Sequence, residues 1–199
     1  MLGAALAASL AGAAPLWAQT FGDARPAVHL QATYPDAQGH PQPLEFWRDS
    51  AGRVVRRTGN RTELHLTPVK DGEDRYQLRN LQSHTAYDVH RVNLYRVGVF
   101  TDRWSVQHLL DRPSGAYTLA SLGRSEQTVA GKCEWWRITS GPKVSEVCWS
   151  ARYGVPLTLK SGGRTVLSVT KVEASSILPS ATLPADWQEY NADEDLAPD

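Results

Sequence analysis

The residues best equipped for chemistry in this chain are six histidines and two cysteines, and their spacing assigns neither group to a reaction. His29, His40, His65, His84, His90 and His108 form no His-x-Glu, His-Glu-x-x-His or Cys-x-x-Cys-His pattern, so no metal or haem site is spelled out. Gly-x-Ser-x-Gly is absent, and Asp88 and Asp102 have no partner for acid–base work that the sequence identifies. Asn60-Arg61-Thr62 matches a glycosylation sequon, a triplet that arises readily by chance. These absences lead to the expectation of a protein that is not an enzyme and that uses no cofactor.

The cysteines have a simpler use. Cys133 and Cys148 are the only two, an even count that favours a disulfide in an oxidising compartment. Antiparallel strands Cys133–Thr139 and Pro142–Cys148, joined at Ser140-Gly141, would place the two directly opposite, within bridging reach. The compartment itself is indicated by the start of the chain. Leu2 to Ala14 is an unbroken run of Ala, Leu, Gly and Ser, followed by Pro15-Leu16-Trp17-Ala18, which has the form of a signal peptide over residues 1–18. No later apolar stretch is long enough to span a bilayer, so the expected product is periplasmic and not an integral membrane protein. Acidic and basic residues balance at 21 each, which leaves no global field to attract nucleic acid.

The elements that would position these groups are strands. Val28, Leu30, Ala32 and Tyr34 alternate with His29, Gln31 and Thr33, the period of a half-buried strand. Leu44–Trp47 and Arg53–Arg56 flank the turn Asp49–Gly52; Glu63–Thr67 and Tyr76–Arg79 flank Lys70–Asp74. Tyr87–Tyr95 alternates for longer and reads as a central strand. Thr101-Asp102 can cap a short helix carrying Trp104, Gln107, His108 and Asp111 one turn apart. Ala116–Ser121, Glu126–Val129, Cys133–Thr139, Val144–Trp149, Val155–Lys160 and Arg164–Ala174 follow as strands. The chain is therefore expected to be mainly β, an antiparallel meander curled into a half-open β-barrel with one or two short covering helices, because twist accumulates across a wide sheet. Residues 19–188 would make this single domain and 189–199 an acidic flexible tail.

Tryptophan is the most unusual component. Trp135 and Trp136 are consecutive on one strand and must point to opposite faces. The tryptophans are either core fillers and cross-strand aromatic pairs or the lining of an apolar cavity within the curl. For the cavity, the candidate lining is Phe46, Trp47, Leu94, Phe100, Trp104 and Leu109. The alternative is a protein that docks onto another envelope protein through a curved sheet edge and the basic strand Arg53–Arg57.

Several stretches of the last hundred or so residues resemble the bacterial periplasmic family of lipoprotein carriers and sorting-like proteins, the LolA, LolB and RseB type. They are the strand Tyr87–Tyr95, Leu110-Asp111-Arg112-Pro113-Ser114-Gly115-Ala116-Tyr117, Val129-Ala130-Gly131-Lys132-Cys133, the end of the hairpin from Cys148 to Val155-Pro156-Leu157, and Leu183-Pro184-Ala185. The resemblance implies an unclosed barrel whose hydrophobic concave face binds acyl chains, a lipoprotein or a partner's apolar segment. The chain departs from the carriers in having no N-terminal amphipathic helix after the leader and no lipobox.

Overall fold

The computed structural model describes residues 17–70, 73–91, 93–94 and 102–192. A short helix α1 (Trp17–Phe21) precedes β1 (Val28–Pro35), β2 (Pro41–Arg48), β3 (Val54–Thr58), β4 (Thr62–Thr67), β5 (Arg75–Asn80) and β6 (Thr85–Val89). Helix α2 (Arg103–His108) leads into β7 (Thr118–Thr128), β8 (Gly131–Ser140), β9 (Lys143–Ser150), β10 (Val155–Ser161), β11 (Arg164–Glu173) and β12 (Gln188–Asn191). The strands form one 12-stranded sheet in the order β12-β6-β5-β4-β3-β2-β1-β11-β10-β9-β8-β7. Two antiparallel meanders, β1–β6 and β7–β11, are thus zipped together by the pairing of the first strand with the last of the second run. The terminal strands β7 and β12 do not meet, so the mainly-β, half-open curl expected from the alternation is what forms.

Three local expectations change. Tyr87–Tyr95 is not a central strand: β6 ends at Val89 and lies one strand from the sheet edge, while residues 95–101 fall outside those described. Two expected strands, Ala116–Ser121 and Glu126–Val129, are one, β7, whose register slips between Ser121 and Ser125 around Gly123. The β8–β9 register is two residues away from the one expected. Gly141-Pro142 makes the turn, and Gly141 (φ 55°) occupies the left-handed first central position of a primed hairpin turn. Trp135 is therefore the residue opposite Cys148, and Cys133 lies one step further along the same face. The disulfide still forms, between diagonal neighbours whose Cα atoms are 5.2 Å apart.

Alternation sorts the sheet into two faces. Leu30, Phe46, Arg56, Leu64 and Leu78 stand side by side across β1–β5 on the inner face, continued by Leu167, Leu159, Val147 and Trp136 on β11–β8. The outer face carries a charged ladder. His29 meets Glu45 at 2.8 Å and Glu173 at 2.9 Å; Arg57 meets Glu63 at 2.6 Å, and His65 meets Glu63 at 2.9 Å. After β11 the chain must travel from the middle of the sheet to its edge, and residues 174–187 do so across this outer face. The Arg79 guanidinium fixes the strap by donating to the carbonyls of Ser180 and Ala181. The strap ends in β12, which pairs parallel to β6, so Gln188–Asn191, mostly within the expected acidic tail, belong to the sheet.

Both helices cover the inner face. Asp102 caps α2 by accepting from Ser105 N at 2.7 Å, and Leu109 (φ 53°) closes it in the left-handed conformation. Trp17, which falls within the expected signal peptide of residues 1–18, and Phe21 of α1 pack with Leu110, Leu119, Ile138, Val147 and Trp149 as a second core beside the main one, so α1 runs across the boundary expected at residue 18.

The end of β2 holds the most demanding residue. Arg48 is fully buried, and its guanidinium donates to the carbonyls of Pro26, Gln107, Tyr153 and Gly154. Burial pulls its pKa down to about 10. Gly154 (φ +60°) allows the β9–β10 turn to approach: a Cβ there would lie 2.8 Å from the Ala24 carbonyl. Replacing Arg48 by Met should cost about 3 kcal/mol or more, measured by urea unfolding, because four carbonyls, those of Gln107 and Gly154 fully buried, would lose their donor. Reducing the disulfide should cost about 3 kcal/mol in the same measurement, the chain-entropy value for a loop of this size.

Candidate functional site

Between α2 and the inner face of β10–β11 runs a trough made of two adjoining clefts. The larger, of about 540 Å³, is lined by Leu110, Pro113, Ile138, Leu159 and Val166, with Arg112 and Lys143 at its rim. The smaller, of about 300 Å³, is lined by Leu44, Leu109, Leu159, Val166 and Leu167, with Tyr34, Arg56, Thr58 and Ser105. Asp111, Leu159 and Val166 line both, so the clefts share a wall and a floor.

Local structure sets this lining. The β10–β11 hairpin turns at Gly162-Gly163 and presents Leu159, Val166 and Leu167 to the inner side. The left-handed residue at the end of α2 parts its two leucines: Leu109 packs towards the main core, Leu110 towards the second. Arg56 takes an inner-face position because its strand neighbours Val55 and Arg57 point outward. Its Nε is buried without a hydrogen-bond partner among the described residues, and burial lowers its pKa against the opposing pull of Asp111.

The six residues that the sequence nominates for a cavity are scattered. Phe46 and Leu94 are fully buried in the main core. Trp47 lies on the outer face, stacked on His29 with ring centroids 5.0 Å apart and with Arg57 at 5.4 Å. Trp104 belongs to the aromatic group around α1, stacked on His108 at 4.2 Å and edge-on to Trp17 at 5.3 Å. Leu109 lines the smaller cleft, and Phe100 lies outside the described residues. Apart from Leu109, the trough is built from residues that reading overlooked: Leu44, Arg56, Leu110, Ile138, Leu159, Val166 and Leu167. Their signal was the alternation itself, which a search for large aromatics passes over.

The basic strand Arg53–Arg57 does not present one charged surface. Arg53 pairs with Asp49 at 2.6 Å, Arg57 with Glu63, and Arg56 faces the other way into the trough. Trp135 and Trp136 do point to opposite faces: Trp136 approaches Phe21, whereas Trp135 lies between Arg124 and Lys160, at 4.6 and 5.0 Å. No cluster of three His, Cys, Asp or Glu able to hold a metal occurs among the described residues.

Comparison with known proteins places the fold alone. No family model matches the chain, and no curated protein does. The crystal structure of PNGF-II aligns with 86% of this chain at a TM-score of 0.51 and 8% identity, and that of MucB with 82% at 0.46 and 15%. The chain spans 32% of the PNGF-II chain and 58% of the MucB chain. No described helix is long and apolar enough to cross a membrane.

Two buried titrating groups beside this architecture contribute to its acid stability. His108 is fully buried and its pKa falls to about 4, chiefly through burial, so it is neutral in the fold. Glu63 is held at about 2 by His65 and Arg57, which outweigh its burial. The unfolded chain protonates a histidine near pH 6.5 and a glutamate near 4.3. Stability should therefore be full above about pH 6.5 and decline as pH falls to about 4, when only the unfolded chain takes up the His108 proton. Below about pH 4.5, Glu63 adds its own loss down to about pH 2. Urea titrations of wild type and His108→Gln should differ in slope between pH 4 and 6.5 by up to about 1.4 kcal/mol per pH unit.

Proposed function

We propose that this is an exported, non-enzymatic binding module that holds the apolar chain of a lipid or lipoprotein in the trough. The observation that carries the proposal is the floor of Leu44, Leu109, Leu110, Ile138, Leu159, Val166 and Leu167, concave and left open between α2 and the β10–β11 hairpin. Pockets of several hundred Å³ with apolar walls and a few placed polar groups are the usual form of small-ligand sites. Leu44, Leu109, Leu159, Val166 and Leu167 give the floor an aliphatic surface on which an alkyl chain can lie. The disulfide supports export, since such bonds persist where the medium is oxidising.

A docking role rests on a different feature. β7 is an 11-residue strand at an open edge, able to accept an extended segment of another envelope protein.

Mass spectrometry of organic extracts from natively purified protein separates the two: co-purified lipid supports carriage, and a stoichiometric protein partner without lipid supports docking. In parallel, the neutral dye Nile red should bind the wild type at micromolar concentration. Val166→Asp, which places a charge on the shared floor, should weaken that binding at least about tenfold. Equal binding by both proteins would remove the trough as the site.

A further inference from the structure

The trough is apolar along its floor but not neutral in its chemistry. Three cations line it, Arg56, Arg112 and Lys143, against the single carboxylate Asp111. They are not equivalent. Arg112 and Lys143 are exposed at the rim of the larger cleft, where water solvates them, whereas Arg56 stands within the smaller cleft beside the hydroxyls of Tyr34, Thr58 and Ser105. Its buried Nε has no hydrogen-bond partner among the described residues. A buried guanidinium donor left without an acceptor is costly, and a carboxylate meets the planar fork with two parallel hydrogen bonds.

We infer that the trough recognises a long-chain carboxylate, with the carboxylate at Arg56 in the smaller cleft and the alkyl tail over Leu159 and Val166 into the larger one. This rests on the apolar-chain reading above and adds the head group to it. Leu159 and Val166 line both clefts, so a single unbranched chain can pass from one to the other without leaving the apolar floor. Asp111 lies on the wall between them and acts on Arg56 electrostatically, so the ligand competes with an internal carboxylate. The orientation follows from where the unpaired cation lies. The smaller cleft holds Arg56, whose Nε is buried and unpaired among the described residues, with Tyr34, Thr58 and Ser105 beside it, whereas in the larger cleft Arg112 and Lys143 are exposed and the apolar lining of Leu110, Pro113, Ile138, Leu159 and Val166 is interspersed with serines.

Calorimetric titration of the whole protein with decanoate, decanol and decyl phosphate tests this, all below their micellar concentrations. Decanoate should bind about tenfold or more tighter than decanol, the order expected of a charge-assisted hydrogen bond. Arg56→Met should bring decanoate to within about threefold of decanol, and a preference for decanoate kept at about tenfold in this variant overturns the assignment to Arg56. Asp111→Asn should raise the ratio of decanoate to decanol affinity. Equal affinity for decanoate and decanol in the wild type overturns the carboxylate inference but leaves an apolar carrier standing. Preference for decyl phosphate over decanoate overturns it in favour of a phosphate head. Binding of none of the three overturns the apolar-trough reading itself. Should Arg56→Met fail to fold, the wild-type ratio of decanoate to decanol decides alone.

Discussion

One buried cation ties together the elements that frame this structure. Arg48 stands at the end of β2 with no access to water, and carbonyls of the segment before β1, of α2 and of the β9–β10 turn accept from it. A charge buried without such acceptors would cost several kcal/mol, so these backbone segments cannot separate independently. Gln107 extends the same junction, donating to the Gly52 carbonyl at 2.7 Å and accepting from Arg25 at 3.2 Å. Helix α2 is only six residues long, too short to be stable by itself, and this junction is what holds it across the inner face.

From that anchoring the trough follows. A sheet of 12 strands that curls without closing leaves an inner face that two short helices cover only in part. Aromatic residues fill the covered part: Trp17, Phe21, Trp104 and Trp149 pack edge to face or stacked around His108. The uncovered part has leucine, isoleucine and valine along its floor, with Arg56 set into it and polar side chains between and around them.

The outer face is a separate system. Its ladder of His, Glu and Arg crosses β11, β1, β2, β3 and β4, and the strap of residues 174–187 lies over it, fixed by Arg79 and by His84, which contacts Asp186 and stacks on Trp187. Of these groups Glu63, His65 and Arg79 are buried, and it is Arg79 and His84 that reach the strap. The strap's final strand also covers the β6 edge, and among the described residues β7 is the long strand paired on one side only.

The alternation of residues by itself determined the mainly-β class, most of the strand positions, the helix start at Asp102, the opposed faces of Trp135 and Trp136, and the pairing of Cys133 with Cys148. Each of these depends on period or on near neighbours, which a linear chain expresses directly. Only the tertiary structure decided which strands meet at the seam, since β1 and β11 lie far apart in sequence and nothing in either names the other. It also decided the hairpin register, set by which residues took the turn, and the parallel return of β12. The site belongs to this second group. An inward Leu159 or Arg56 becomes a lining residue only when a helix stops short of covering it, and where α2 lies depends on carbonyls gathered around Arg48 from distant parts of the chain.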